Sequence, residues 1–475
     1  MGDRSVTRNC GPDLVRVGAG LPVAAYRDEI TTALHGGRAV IVAPPGTGKT
    51  TFVPPLVASR CSGRVIVTQP RRVAARAAAR RLATLTGTRP GEFASHTVHG
   101  ESTTTRDTKV EFVTTGVLLR RLLSDPDLTG VDAVVLDEVH ERHLDADLVV
   151  AMVCEVAQLR DDLTIVAMSA TVDSSGWAAF LGGVEPAPVV EVASALHELE
   201  VEWAPAAGAA VESRGVSREF LGHLGTVTVD ALDRHTEGSA LVFVPGAREV
   251  DHVVADLRSR LAGIDVVGLS GAMSAREQDH ALSDPGNVRR VIVSTAVAES
   301  SLTVPGVRLV VDSGLSREPR LDRGRGMTGL VTVRESRASA VQRAGRAARL
   351  GPGVAVRCLR AQDWAGMNAD PTPEVDHADL VASLLSLAVW GSPRGEGMAL
   401  PTPLPQDRVA AAEEELRDLG AVDAEGRITA RGRHLATFPL DPRLARALTD
   451  GAAIIGSRRC AEIAAMLGLE DGQVD

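Results

Sequence analysis

The segment Ala43-Pro-Pro-Gly-Thr-Gly-Lys-Thr50 sets small residues, one lysine and one hydroxyl between an apolar run and a helical pattern. Small side chains at Pro45, Gly46, Thr47 and Gly48 let successive backbone N–H groups curl around a phosphate, and the start of the next helix adds partial positive charge. Lys49 can then reach the β- and γ-phosphates of a nucleoside triphosphate. Thr50 can give its hydroxyl to Mg²⁺, with Thr51 beside it. The GxxxxGK[ST] pattern begins here with Ala43 instead of glycine, a small change that the turn tolerates. Lys49 and Lys109 are the only lysines of the chain, so nearly all its 51 basic residues are arginine. A lysine kept against that bias marks a cradle too tight for the rigid guanidinium fork.

Two further segments complement the loop. Val134-Val-Leu-Asp-Glu-Val-His-Glu-Arg142 is an apolar strand ending in paired acids. Asp137 can hold Mg²⁺ through its water shell, while Glu138 orients and deprotonates the attacking water. Gln342-Arg-Ala-Gly-Arg-Ala-Ala-Arg349 repeats arginine every third residue, which places Arg343, Arg346 and Arg349 on one helical face, as arginine fingers would be. Taken singly these segments have plainer readings: a glycine-rich turn, a solvated Asp-Glu pair, a basic helix face.

The elements that must carry these groups alternate in type. Apolar runs at Ala39–Ala43, Arg64–Thr68, Val134–Leu136 and Leu163–Ala167 read as buried strands, with helical stretches such as Val73–Leu85 between them. Ala240–Val244, Val291–Ser294 and Val307–Val311 repeat the pattern in a second α/β unit. Strands alternating with helices indicate parallel sheets covered on both faces. After about residue 360 the pattern becomes helical: Asp376–Trp390 stopped by Gly391, Val409–Leu419 stopped by Gly420, a short hairpin at Asp423–Arg427, and a helical stretch over 443–468. The expected domains are a tail 1–19, α/β domains 20–190 and 191–359, a winged helix 360–440, and a further helical region 441–475.

Composition sets limits. The net charge is −10 and aromatic residues are 3% of the 475, so any grip on nucleic acid must be local, with few stacking platforms. One such local excess exists: Arg64 to Gly91 holds seven arginines and no acid. The five cysteines have no zinc or redox spacing, no apolar run is long enough to span a bilayer, and no signal peptide is visible, which points to a reduced cytoplasmic protein.

Together the segments Ala43–Thr50, Thr68-Gln-Pro-Arg-Arg-Val-Ala-Ala75, Thr114-Thr-Gly116, Asp137–His140, Ser169-Ala-Thr171, Ser294–Val304 and Gln342–Arg349 resemble the superfamily 2 helicases in order and spacing. The Asp-Glu-Val-His box with Glu141-Arg142 resembles the DEAH/RHA group, and the tail Leu435–Leu448 is similar to the bacterial HrpB branch. The resemblance runs from about residue 20 to 468. It implies two RecA-like P-loop domains, a winged helix and the start of a helical ratchet domain, binding ATP and Mg²⁺ and moving 3′-to-5′ along single-stranded nucleic acid, RNA ahead of DNA. Nothing visible reads a 2′-hydroxyl, so both strands stay open.

The same resemblance assigns roles. Gln342 senses the γ-phosphate, Arg346 and Arg349 are the fingers, His140 couples the acidic box to Gln342, and Ser169 and Thr171 link hydrolysis to domain movement. Arg81 and Asp312 join the nucleotide-binding set; Leu282 stands where many relatives stack phenylalanine on the base, which implies loose base selection. Arg71, Arg72, Thr114, Thr115, Gly246 and Thr295 would contact the nucleic-acid backbone. The Arg/Gly-rich stretch Gly314–Ser336 resembles an inserted β-hairpin wedge. Because relatives continue through further domains, robust ATPase with poor processive unwinding is expected, and the protein is expected to be monomeric. A nucleic-acid-dependent ATPase that clamps or remodels nucleoprotein without unwinding shares every motif and remains the alternative.

Overall fold

The computed structural model describes residues 12–170, 174–193, 197–213, 215–286, 288–299, 302, 304–322 and 327–470. The chain divides into two compact units, residues 1–140 with 152–194, and residues 141–151 with 195–475.

In the first unit the strands are β1 (Arg38–Val42), β2 (Arg64–Gln69), β3 (Ala94–Val98), β4 (Glu101–Ser102), β5 (Val110–Thr114), β6 (Val131–Leu136), β7 (Thr164–Ser169) and β8 (Val189–Glu191). They form one sheet in the order β4-β3-β5-β2-β6-β7-β1-β8, parallel apart from the antiparallel β3–β4 pair. The β-branched runs in β1, β2 and β6 are buried almost throughout, as expected for central strands covered on both faces. One face packs on the helices Lys49–Ala58 and Arg72–Thr86 through Phe52, Val53, Leu56, Ala75 and Leu82. Strand β8 pairs with β1 and contains the boundary expected at 190/191, whereas the division by contacts falls at 194/195.

The second unit contains β9 (Leu199–Trp203), the small pair β10 (Val211–Glu212) and β11 (Gly215–Val216), then β12 (Ser239–Phe243), β13 (Asp265–Leu269), β14 (Arg290–Ser294), β15 (Val307–Asp312), β16 (Leu315–Asp322), β17 (Met327–Arg334) and β18 (Gly353–Arg357). Its main sheet runs β13-β14-β12-β15-β18-β9 and is parallel throughout. Strands β16 and β17 form a separate antiparallel hairpin in register from Leu315↔Arg334 to Asp322↔Met327, where the sequence calls for an insertion.

Beyond the sheet a short helix, Ala361–Ala365, precedes the helices Val381–Trp390, Gln406–Asp418, Ala430–Ala436, Pro442–Ile455 and Ser457–Glu470. Of these five, the first starts later than expected from Asp376: Glu374–Asp376 form a separate 3-10 turn, and the Asp379 carboxylate accepts from the Val381 N–H at 3.0 Å in a local side-chain turn just before the helix. The hairpin expected at Asp423–Arg427 reduces to a turn closed by one bridge, Val422↔Ile428. The stretch 443–468 is two helices, broken where Gly456 takes φ +86°. Gly432 packs so closely that a Cβ would run into the Ala421 carbonyl and the Ile428 side chain. Gly432→Ala is therefore expected to cost about 1–3 kcal/mol, read as a lower urea midpoint. Among the described residues no helix is long and apolar enough to cross a membrane.

Candidate nucleotide-hydrolysis site and nucleic-acid contacts

Parallel strands bring their carboxyl ends to one edge of the sheet, where ligands bind in open α/β folds. In the first unit β1 leads there into the phosphate loop, β2 into Arg71 and Arg72, β5 into Thr115, β6 into Asp137, and β7 ends at Ser169. Gly46 (φ +91°) and Gly48 (φ +87°) occupy the left-handed region that other residues enter at a cost. A Cβ on Gly48 would also meet the Leu21 side chain at 2.8 Å. Thr47 is buried and its hydroxyl donates to the Pro44 carbonyl at 2.9 Å, closing the loop on itself. Pro45 and Thr51 are half-buried on either side of the turn.

Lys49 is 4% exposed, and its Nζ lies 3.2 Å from Glu138 Oε2. Thr50 Oγ1 donates to Asp137 Oδ2 at 2.6 Å, and Gln69 Nε2 donates to the same oxygen at 2.7 Å. The Asp137 N–H donates to Thr68 Oγ1 at 3.1 Å, and the Glu138 N–H to Asp137 Oδ1 at 3.0 Å. Glu138 holds φ +54°, a conformation costing a non-glycine residue roughly 1–2 kcal/mol. That strain sits on the proposed base itself, and the strand end on one side fixes its direction. Burial pushes the Asp137 carboxyl up to about 7, with the Glu138 charge adding to the rise and Lys49, Thr50 and Gln69 opposing it.

These residues fit a magnesium–nucleotide. Lys49 is a cation withdrawn from water whose natural partner is an anion. The Thr50 hydroxyl and the Asp137 carboxylate already converge as two hard oxygen donors, the set Mg²⁺ takes together with phosphate oxygens.

His140 joins this group. The Ala170 N–H donates to its Nδ1 at 3.3 Å, so Nδ1 is the acceptor and the ring proton belongs on Nε2. Nδ1 also lies 3.5 Å from Glu138 Oε2. Ser169 is buried at the end of β7, where its carbonyl accepts from the Ala43 N–H at 3.0 Å. The phosphate loop and the coupling segment are thus joined through backbone atoms, and the coupling segment meets the box at the His140 ring. Thr171 lies outside the described residues.

The candidate strand contacts follow the same edge. Arg71 precedes the helix Arg72–Thr86 and both arginines are half-buried. Arg76, one turn further, is paired with Glu101 at 2.6 Å and belongs to the fold, while Arg81 is exposed. Thr114 caps the helix Thr115–Ser124 without using its side chain. In the second unit Gly246 begins the helix Ala247–Arg260 after β12, and Thr295 follows β14. A Cβ on Gly246 would lie 2.5 Å from Arg317 Cζ on the hairpin, so a side chain there would displace that guanidinium. Leu282 is half-buried at the end of the helix Ala275–Leu282.

The arginine row differs from its sequence reading. The helix Arg337–Ala344 ends at Gly345, and the chain continues in tight turns, with Arg346 N donating to Arg343 O at 3.0 Å and Ala347 N to Ala344 O at 3.0 Å. Arg343 is fully buried among carboxylates and is no finger. Arg346 is 3% exposed, with Nε donating to the Glu299 carbonyl at 3.0 Å and Nη1 to the Leu302 carbonyl. Arg349 and Gln342 are half-buried, and Gln342 Nε2 has no hydrogen-bond partner among the described residues. Asp312, expected in the nucleotide-binding set, is 2% exposed, and its Oδ1 accepts from Arg343 Nη1 at 3.1 Å and from the Gly314 N–H at 3.0 Å. A fully buried guanidinium requires such counter-charges, and Asp312 is turned inward to supply one.

Sequence reasoning passed over Gln69, Thr68 and Glu299. The first two lie in the Thr68–Ala75 segment and the third in Ser294–Val304, both recognised as motifs without a role for these positions. A buried glutamine at a strand end beside an acidic box was the available signal for Gln69.

Comparison with known proteins agrees with this geometry. Residues 26–177 match the DEAD/DEAH box helicase family, residues 224–351 the helicase conserved C-terminal domain, and residues 412–440 the winged-helix helicase-associated domain HA2. The ATP-dependent RNA helicase HrpB of Escherichia coli is 37% identical over 454 residues, covering 94% of this chain and 54% of HrpB. The probable ATP-dependent RNA helicase DHX34 of Homo sapiens is 32% identical over 468 residues, covering 96% of this chain and 40% of DHX34. The crystal structure of E. coli DEAH/RHA helicase HrpB superposes with a TM-score of 0.86 at 36% identity, covering 94% of this chain and 56% of that one. The chain therefore spans about half the length of these relatives. With tandem helicase domains on parallel sheets and an HA2 winged helix in matching order, it belongs to the DEAH/RHA group of superfamily 2 helicases and is similar to HrpB.

Proposed function

We propose that this chain hydrolyses ATP to drive movement along a single nucleic-acid strand, RNA ahead of DNA, in the 3′-to-5′ direction. The observation that carries the reading is the set of buried Lys49, Gln69, Asp137 and Glu138 with half-buried Thr50, gathered at the carboxyl edge of one sheet. Bound Mg²⁺ would be held by Thr50 and Asp137 and would supply charge neutralisation on the phosphate oxygens. The loop N–H groups and Lys49 bind and orient the phosphates. Glu138, held in place by its strained backbone, takes the proton of the attacking water. Arg346, Arg349 and Gln342 act from the second unit on the terminal phosphate, and His140, with Ser169 and Thr171, carries the state of the acidic box into domain movement. The preference for RNA rests on what the relatives are named for, and the direction on the family likeness. A monomeric, cytoplasmic protein belongs to the same reading.

ATP turnover with no polymer, with single-stranded RNA and with single-stranded DNA tests it. Stimulation by RNA above DNA is expected, and equal rates in all three would contradict it. Displacement of a 3′-tailed duplex separates a translocating helicase from a clamp that remodels without unwinding.

Two further outcomes follow. Arg71 and Arg72 are assigned to phosphates, so Arg71→Ala and Arg72→Ala should weaken RNA binding equally for all sequences. Each should lower the slope of log K against log salt by about one unit or less, as read by fluorescence anisotropy. With Leu282 where many relatives stack an aromatic ring on the base, base selection is weak. GTP, CTP and UTP are expected to support turnover near the ATP rate. A strong preference for ATP in that comparison would remove this part of the account.

A further inference from the structure

Arg343 is among the largest fully buried side chains of the described residues. Its Nε donates to Glu299 Oε2 at 2.8 Å, and its Nη1 donates to Asp312 Oδ1 and to the Leu315 carbonyl, each at 3.1 Å. The same Nη1 lies 2.5 Å from Glu335 Oε2, and the Phe243 ring covers the guanidinium at 5.0 Å. The Glu335 side chain is 0% exposed and that of Asp312 3%. Three carboxyls therefore surround one cation away from water. A second cation, Arg357, sits beside Asp312 on the neighbouring strand, within the electrostatic reach of Asp312 and Glu335, and is stacked 3.8 Å from the Trp364 ring centre with Trp203 at 5.3 Å.

Two cations balance two anions. Burying a third unbalanced charge would cost several kcal/mol, so one carboxyl keeps its proton. Glu335 is that group, because burial raises it well above the ordinary carboxylate range and Asp312 stands beside it to accept a hydrogen bond from its O–H.

The chain positions of these groups give the cluster its meaning. Asp312 ends β15 just before the hairpin β16–β17 begins, and Leu315 is the first hairpin residue. Glu335 follows the last hairpin residue, and its N–H donates to the Gly314 carbonyl at 3.1 Å to close the base. On the other side, the backbone carbonyls of Glu299 and Leu302 hold the Arg346 guanidinium, and Ser339 donates to the Glu299 carboxylate. Arg343 touches both groups.

We propose that Arg343 is a positioning residue which, through Glu299, Asp312 and Glu335, fastens the base of the 315–334 hairpin to the turn carrying Arg346 and Arg349, so that nucleotide-driven movement of that turn reaches the hairpin. This rests on the reading that those two arginines engage the terminal phosphate of ATP. Glu335 is the neutral member that lets the junction stay buried. Its proton is bound more tightly in the folded chain than in the unfolded one. Its stabilising contribution is therefore complete at low pH and is lost as pH rises through the folded value, above the usual carboxylate range.

Hydrogen–deuterium exchange of the whole chain, free and with ADP–aluminium fluoride, tests the junction. In the wild type the nucleotide complex should slow exchange at the phosphate loop, at residues 344–350, and by about tenfold at the hairpin base, residues 314–316 and 333–336. In Arg343→Lys the phosphate-loop protection should persist while the hairpin protection disappears. Glu299→Gln cuts the same junction at its less buried end and should give the same loss if Arg343→Lys does not fold. Glu335→Gln keeps the shape of the neutral carboxyl, so it should retain the hairpin response. It should also remove the extra loosening that the wild-type base shows as pH is raised. Hairpin protection missing from the wild type while the phosphate loop is protected, or persisting in both Arg343→Lys and Glu299→Gln, would overturn the proposal. Absence of protection at the wild-type phosphate loop would instead overturn the nucleotide reading. The junction is then decided by the nucleotide-free arm, where a Glu335→Gln hairpin base that tracks the wild type at every pH refutes it.

Discussion

Glu138→Gln is expected to lower RNA-stimulated ATP turnover by about 10²–10⁴-fold, the range for removing a positioned general base. Glutamine has the same shape and keeps an oxygen toward Lys49, so nucleotide should still bind. The carboxylate that removes the water's proton is what disappears. In the nucleotide-free protein the change also breaks a buried ion pair at 3.2 Å, so Lys49 loses its counter-charge until phosphates replace it. The variant should therefore unfold at a lower temperature without nucleotide and recover with it. Steady-state kcat and KM with saturating RNA, together with binding of a fluorescent nucleotide, check both parts. A kcat within about threefold of wild type would show that Glu138 is not the base.

Arg349→Ala is expected to lower kcat by about 10³–10⁵-fold with little change in KM, as for an arginine acting only on the charge that develops during phosphoryl transfer. It is a cleaner probe than Arg346→Ala. Arg346 is 3% exposed and its guanidinium ties down the Glu299 and Leu302 carbonyls, so its removal loosens the fold as well as the site. Arg346→Ala should therefore melt well below wild type in thermal unfolding. A matching rise in KM and an unchanged kcat for Arg349→Ala would mean that it binds substrate and does not stabilise the transition state.

Much of this was legible in the sequence, for physical reasons. The central strands are short β-branched runs buried on both faces, and each chemical residue sits where such a run meets a turn, as Lys49 does after β1 and Asp137 after β6. Local pattern reports that situation directly. It reported poorly where long-range partners decide. Arginines every third residue implied one helical face, yet the helix stops at Gly345, and Arg343 is buried by carboxyls from three other parts of the chain. Glu335 looks like an ordinary polar residue after a hairpin, and nothing beside it announces a buried proton. Arg357 lies between Trp203 and Trp364, the first of them more than a hundred residues away. The role of Gln69 needed Asp137 to be placed on the neighbouring strand. The helix expected from Asp376 begins only at Val381, after a separate 3-10 turn that hydrophobic spacing alone does not distinguish.

The central claim is that a terminal phosphate held at Lys49 is hydrolysed only with the help of arginines from the second unit of the same chain. ATP turnover with single-stranded RNA, by wild type, Lys49→Ala, Arg349→Ala and an equimolar mixture of the two variants, tests it most directly. RNA-stimulated turnover in the wild type, its loss in each variant and no recovery in the mixture are predicted. Turnover in Arg349→Ala equal to wild type, or recovery on mixing, would contradict the account.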